Sequence, residues 1–225
     1  MSQAAALLDP EALLIVTTGT LLATLARCGW QDTKTALSAL MSLGSPTFDE
    51  NSNRASLARS LRAIQERGRL SADVPLPPDR ATAKMLQAYL TNGSLAQLKA
   101  AAKAQRCARE RVCIRERRAF ESAGELAPIF GLVGTLFAIT QLAPTSGADA
   151  AETTMAAVAT AVLSSMYGVL SAHLIYLPLA RAIERRGENE EAARSAVLDW
   201  FEAELTNHHD ARAYNSRDPN LRDVA

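Results

Sequence analysis

The sequence predicts an all-α integral membrane protein: three transmembrane helices with long cytoplasmic helical extensions. Three observations carry that expectation. All 24 Lys and Arg residues fall in two blocks, Arg27 to Arg118 and Arg181 to Arg222. Between them, Leu126–Ala180 holds no basic residue and only Asp149 and Glu152 as acids, both within the polar connector Ala143–Thr154. The flanking regions carry apolar residues at three- and four-residue spacings, the period of a helix. A bilayer core rejects charge and biases Lys and Arg to the cytoplasmic side. Two uncharged segments between basic blocks therefore read as a membrane-crossing hairpin, although a net charge of zero hides the zoning.

The first hairpin segment, Leu126–Leu142, has 17 residues, or about 26 Å of helix. The second, Met155–Ala180, has 26 residues and can cross with tilt. The connector between them lacks Lys and Arg, which places it on the outer side. A third apolar run, Ala12–Ala26, is extended by Ala4–Leu8 across Asp9–Pro10 and is followed directly by Arg27. It reads as a span entering from outside, with a surface or core helix as the alternative. No basic residue precedes Arg27, so a cleavable signal with a positive first region is not expected.

The chain divides accordingly. Residues 1–26 form an N-terminal transmembrane helix, 27–125 a cytoplasmic helical region, 126–180 the transmembrane hairpin and 181–206 a cytoplasmic helix. Residues 207–225 lose apolar periodicity and read as a disordered tail. Residues 27–125 hold 17 basic and 10 acidic side chains, and Arg181, Arg185 and Arg186 stand at the other membrane edge. Within the first cytoplasmic region, Gln31–Leu43 and Ser56–Arg67 are expected helices. Ser71–Arg80 is a breaker with three prolines, and Arg80–Leu90 and Ser94–Glu125 resume the helix around an Asn92–Gly93 turn.

Bulk properties exclude more than they specify. Neutral charge gives no reason to expect nucleic acid. Cys28, Cys107 and Cys113 are an odd set in a region expected to be cytoplasmic, which argues for thiols and against both a disulfide framework and a metal site. No cofactor is implied. No nucleophile–base pair or phosphate loop suggests an enzyme with catalytic residues, and His208 and His209 fall in the expected tail.

The hairpin carries small-residue stripes: Ala127, Gly131, Gly134 and Ala138 on one segment, and Ala157, Ala161, Ser165, Gly168 and Ala172 on the other. Such spacing lets membrane helices approach closely, so Gly131, Gly134, Ala161, Gly168 and Ala172 are candidate packing residues. Thr135, Thr160, Ser164 and Ser165 could line a polar path, or could bond back to their own helix backbone. Pro128 and Pro178 stand at matching depth and free the carbonyls of Gly124 and Leu174. They are either tolerated at helix ends or act as hinges between membrane and cytoplasmic helices. His173 is the ionisable group in the spans besides two tyrosines, and a local hydrogen bond competes with a functional role. Neither hairpin span contains an acid, so if the protein conducts ions, a partner must supply the carboxylate.

These residues resemble the MotA/TolQ/ExbB proton-channel family, through ELAPIFGLVGTLFAITQL (Glu125–Leu142) and VATAVLSSMYGVLSAHLIYLPLA (Val158–Ala180). DPEALLIVTTGTLLATL (Asp9–Leu25) resembles the second span of the MotA branch, and QERGRLSAD (Gln65–Asp73) its cytoplasmic helix–turn. The resemblance implies an inner-membrane ion channel subunit, most simply for protons, in a stator complex that turns ion-motive force into mechanical work. It implies a pentameric homo-oligomer in membrane lipid, around single-span partners resembling MotB, TolR or ExbD that carry the membrane aspartate. Thr135 and Ser165 match the family's pore-lining hydroxyl positions, with Ser164 and Thr160 beside them, and Pro128 and Pro178 match its junction prolines. Arg67 and Asp73 match its cytoplasmic contact, while Gln65 stands where the flagellar branch has an arginine. Three spans match the plan of TolQ and ExbB, against four in the MotA branch. A structural membrane scaffold whose small faces only assemble helices is the competing reading.

Overall fold

A run with apolar positions three and four apart still leaves backbone groups unpaired at its ends, and here caps mark several element boundaries. The computed structural model describes residues 9–45, 48–67, 74–141 and 150–217. Among these, every regular element is helical: α1 (Pro10–Cys28), α2 (Trp30–Ser42), α3 (Glu50–Arg67), α4 (Arg80–Asn92), α5 (Leu95–Thr140), α6 (Ala150–Leu170), a π-helical segment (Ser171–Tyr176) and α7 (Leu177–Arg217). Three of these runs are long and apolar enough to cross a membrane: α1, α5, and the continuous helix from Thr153 through the π segment into α7. They are the three spans expected, and α5 passes without interruption from the basic region into the apolar one.

Two compact units divide the chain, Met1–Ser45 with Arg111–Arg186, and Pro46–Glu110 with Gly187–Ala225. In the first, Asp9 opens α1 by accepting the amides of Glu11 and Ala12, with Pro10 in the first helical turn, where its missing N–H is not needed. Gly29, at φ 85°, ends α1 and starts α2, a backbone conformation that disfavours any side chain there. Beyond the apolar spans, α5 and α7 run antiparallel and are joined by Arg117 and Glu184. Arg27 at the end of α1 pairs with Glu125 on α5 at 2.8 Å.

The second unit has a conventional hydrophobic core. Leu57 and Leu61 of α3, Met85, Leu86 and Tyr89 of α4, Leu98 of α5 and Val197, Phe201 and Leu205 of α7 are all buried together. Their spacing of three and four residues turns one face of each helix inward. The proline-rich breaker is held by polar side chains of α3: Ser60 Oγ donates to the Pro75 carbonyl and Asn53 Oδ1 accepts the Asp79 amide at 3.1 Å. Asp79 then caps α4 through the Thr82 amide at 2.9 Å, and Gly93 closes it in the left-handed conformation. Arg194 reaches Asp79 at 3.5 Å and Glu190 at 3.1 Å, with its guanidinium over the Phe48 ring.

The observed limits differ from the expected ones in instructive places. α7 continues to Arg217, past Asn207 where apolar periodicity ends, so the tail is helical for that length and only residues 218–225 lie outside the described ones. α6 begins at Ala150, so the connector's last residues belong to the helix, whose helix-forming Ala150–Ala151–Glu152 start needs no apolar face. The first span begins at Pro10, and residues 1–8 lie outside the described ones.

Because Phe201 fills the centre of the second unit's core, Phe201→Ala is expected to cost about 3–5 kcal/mol. Thermal unfolding of the detergent-solubilised protein, followed by circular dichroism, should show that loss as a lowered or separate transition. A Phe201→Leu control should lose far less.

Candidate channel-forming site

Helices normally pack 8–10 Å apart, and only glycine lets backbones come closer. A Cβ added at Gly168 would lie 2.6 Å from the Ala127 carbonyl and 3.0 Å from Gly131 Cα. One added at Gly131 would lie 2.9 Å from the Ser164 carbonyl and 3.2 Å from Ser165 Cα. At Gly134 it would strike Ser164 Cβ at 2.7 Å. Ala127, Ala138 and Ala172 are buried along the same hairpin, and the Ala161 carbonyl accepts a hydrogen bond from Ser164 Oγ at 2.9 Å. The small-residue stripes therefore act as a contact line between α5 and α6.

Four hydroxyls lie near this line in different surroundings. Ser164 has no exposed surface, and its Oγ also lies 3.2 Å from the Gly131 carbonyl, so it sits inside the hairpin. Thr160 donates to Asp9 Oδ2 at 2.7 Å and is thereby committed to the first span. Thr135 donates to its own Leu132 carbonyl at 2.6 Å and stays partly exposed, as does Ser165.

Helical phase sorts them further. α1 lies on one side of the hairpin: Gly19 faces the Phe130 ring, Ile15 approaches Gly134, and Asp9 meets Thr160 and Tyr167. At about 100° per residue, Thr135 is turned about 140° from Phe130, and Ser165 about 140° from Thr160. Thr135 and Ser165 thus share the side of the hairpin that α1 leaves uncovered, whereas Thr160 is on the covered side and Ser164 is enclosed.

Asp9 joins the first span to the hairpin, and sequence reading passed over it as an interruption of an apolar run. Its carboxylate caps α1 and simultaneously accepts from Thr160, and its amide donates to the Tyr167 hydroxyl at 3.1 Å. The Asp-Pro-Glu start was a readable N-cap signal, but nothing local announces a partner 151 positions away.

The prolines are accommodated in two ways. α5 remains helical through Pro128, with the Leu177 side chain 3.1 Å from where a Gly124 Cβ would stand. Ahead of Pro178 the helix widens into the π segment, where the Leu177 amide reaches back to the Ala172 carbonyl. His173 Nδ1 lies 3.1 Å from the Val169 carbonyl, a local bond of the bland kind. Arg67 is the last residue of α3, and Asp73 lies outside the described residues.

Among the described residues, a glycine-tight hairpin with one hydroxyl-bearing side left uncovered by the further span is the framework of a multi-pass helical membrane protein. Residues 75–196, more than half of the chain, match the MotA/TolQ/ExbB proton channel family, and the chain belongs to that family. It is 29% identical over 80 residues to the chemotaxis protein PomA of Vibrio alginolyticus, covering 36% of this chain and 31% of that one. It is 30% identical over 83 residues to the uncharacterized protein YtxD of Bacillus subtilis (strain 168), covering 37% and 30%. The chain thus spans about a third of the length of the curated relatives it matches. Its fold is similar to the flagellar MotAB stator complex from Bacillus subtilis, with a TM-score of 0.71 at 19% identity over 86% of this chain and 77% of that one. It is also similar to C. jejuni MotAB, with a TM-score of 0.74 at 14% identity over 97% and 88%.

Two consequences can be measured in detergent melts. Gly168→Val should prevent the hairpin from closing and abolish a cooperative transition of the spans, whereas Ser165→Ala should leave it in place. Thr160→Val removes the cross-span bond and should cost about 1 kcal/mol. Asp9→Ala, which also removes the cap, should cost about 1–2 kcal/mol, and the double variant should be no worse than Asp9→Ala.

Proposed function

We propose that this chain is the ion-conducting subunit of a stator-type complex in the bacterial inner membrane, with protons as the ion. The observation that carries the reading is the hairpin side left uncovered by α1, where Thr135 and Ser165 flank the Gly131 contact line. Hydroxyls can relay or solvate an ion but cannot store its charge, and neither hairpin span offers a carboxylate. The charge-binding group then comes from a single-span partner with a membrane aspartate, held at the centre of a homo-oligomer whose subunits turn this side inward. The similarity of the fold to chains of two MotAB complexes supports such a partner, and family membership supports a pentameric ring. The Arg27–Arg118 block and Arg181, Arg185 and Arg186 support a cytoplasmic position for the helical extensions.

In this arrangement Pro128 and Pro178, each at the foot of a channel helix, serve as hinges between membrane and cytoplasmic helices. Each proton crossing 100 mV delivers about 2.3 kcal/mol, enough over several steps to drive a conformational change in the ring. Arg67 and Asp73, at the end of α3 and just beyond it, are the positions for a cytoplasmic contact with the element that is moved.

The test is proton flux into vesicles containing this chain and a partner from a neighbouring gene, read with a pH-sensitive dye. Flux should require both proteins and vanish when the partner's aspartate becomes asparagine. Thr135→Val should lower it at least tenfold, about 1.4 kcal/mol of barrier, while Thr160→Val lowers it much less. Flux indifferent to the partner's aspartate and to Thr135 would instead support a scaffold that assembles helices without conducting.

A further inference from the structure

Backbone hydrogen bonds in a span have to be accounted for one by one, because lipid tails offer no substitute. At the end of the π segment (Ser171–Tyr176) the Leu177 amide reaches five residues back to the Ala172 carbonyl. The next residue, Pro178, has no amide hydrogen to give to the carbonyl of His173 or of Leu174. Leu179 lies in the α-helix that follows, whose pattern pairs its amide with the Ile175 carbonyl. The wide turn and the proline together leave two adjacent carbonyls, those of His173 and Leu174, without a donor from their own helix. A proline in an unbroken α-helix would leave one.

A helical carbonyl lies on the side of its own Cα, and both of these residues face outward: His173 is exposed and Leu174 is 70% exposed. The imidazole adds a third acceptor. His173 Nδ1 lies 3.1 Å from the Val169 carbonyl, which can only accept, so Nδ1 carries the hydrogen and Nε2 of the neutral ring presents a lone pair. At about 100° per residue, His173 is turned about 140° from Thr160, which α1 covers, and about 80° from Ser165. The wide turns advance less per residue and bring it nearer to Ser165. The patch thus continues the hydroxyl-bearing side toward Arg181, which stands seven residues beyond Leu174, about 10 Å along the helix.

Backbone acceptors without donors do not face hydrocarbon; they are buried in protein or line water. Near this depth the other spans expose Leu21, Leu22 and Ile129, which have nothing to donate, so a second copy of this chain would cover the patch with apolar groups. We propose that the His173 and Leu174 carbonyls and His173 Nε2 form a water-binding site at the inner end of the hydroxyl-bearing side, filled from the arginine-rich side. Three acceptors without a donor select water and hydronium and turn anions away. Water held there is the exit step for a proton that has passed Thr135 and Ser165. That use rests on the conducting reading above; the hydration does not.

The chain has three histidines, so in a His208→Gln/His209→Gln background histidine enriched in carbon-13 at the carbonyl marks His173 alone. The full chain in lipid bilayers is followed by magic-angle-spinning NMR with magnetisation transferred from water. The His173 carbonyl should gain signal at short mixing times. Pro178→Ala supplies the missing amide and should remove most of that early gain, with the resonance moving to that of a helix-bonded carbonyl. Arg181→Gln, which removes a guanidinium within reach on the same helix, should leave the gain as it was. No early gain in the parent, an equal gain in Pro178→Ala, or a gain that appears only in Arg181→Gln overturns the proposal. Proton flux measured alongside separates the two readings. A dry carbonyl with flux retained sinks this site alone, and a wet carbonyl without flux sinks the conducting reading and leaves the hydration standing.

Discussion

The contact of two helix backbones at Gly131 and Gly168 constrains everything around it. With an added Cβ only 2.6 Å from a carbonyl, no other residue fits at Gly168 without moving a helix. In lipid there is no hydrophobic drive to bring two apolar helices together, so close packing and buried hydrogen bonds must do it. Ser164 supplies the bond at the contact and is enclosed by it. Once the hairpin is locked at that line, it has two sides, and the first span can cover one. That coverage selects which hydroxyls remain available to anything else.

The charged groups of the two units answer a different physical problem. Arg194 is largely buried between Asp79, Glu190 and the Phe48 ring, where breaking one partner would leave a charge without compensation. Such a cluster adds little net stability over an apolar core but favours one arrangement, because the carboxylate that caps α4 is also one that Arg194 must find. The same double use occurs at Asp9, where one carboxylate caps a helix and holds a second helix to it. Both devices couple a local helix start to a distant segment, so each start forms fully only when the tertiary structure does.

Much of this was legible in the sequence because it follows from composition along a line. The absence of Lys and Arg between Leu126 and Ala180 marks the hairpin, the prolines between Ser71 and Arg80 mark the break, and the small-residue stripes mark the packed faces. What resisted reading depends on phase or on distance in the chain. Ser164 and Ser165 are adjacent, yet one is enclosed and the other partly open, since neighbouring positions on a helix point about 100° apart. Thr160 and Thr135 are both span threonines, yet Thr160 bonds to Asp9 of another segment and Thr135 to its own helix. The attachment of α2 depends on two arginines far along the chain, Arg115 on Asp32 and Arg186 on the Ser42 carbonyl, and its periodicity shows only that it is amphipathic. The helical continuation to Arg217 lies where apolar spacing is lost and weak helix formers such as Asn207, His208, His209 and Asp210 dominate, so nothing in the local sequence announces it.

The π segment before Pro178 has a geometric consequence of its own. A helix that bonds five residues back over part of its length accommodates one more residue than an α-helix of the same rise. Every position after Tyr176 is therefore shifted in angle by about 100° from where an unbroken α-helix would place it. Residues up to Leu170 and residues from Leu177 follow two registers, so the sequence that faces the hairpin partner and the sequence that faces the arginine-rich side obey separate patterns. A single added or deleted residue within Ser171–Tyr176 would act as a rotation of one half of the helix against the other, with the composition of both halves unchanged.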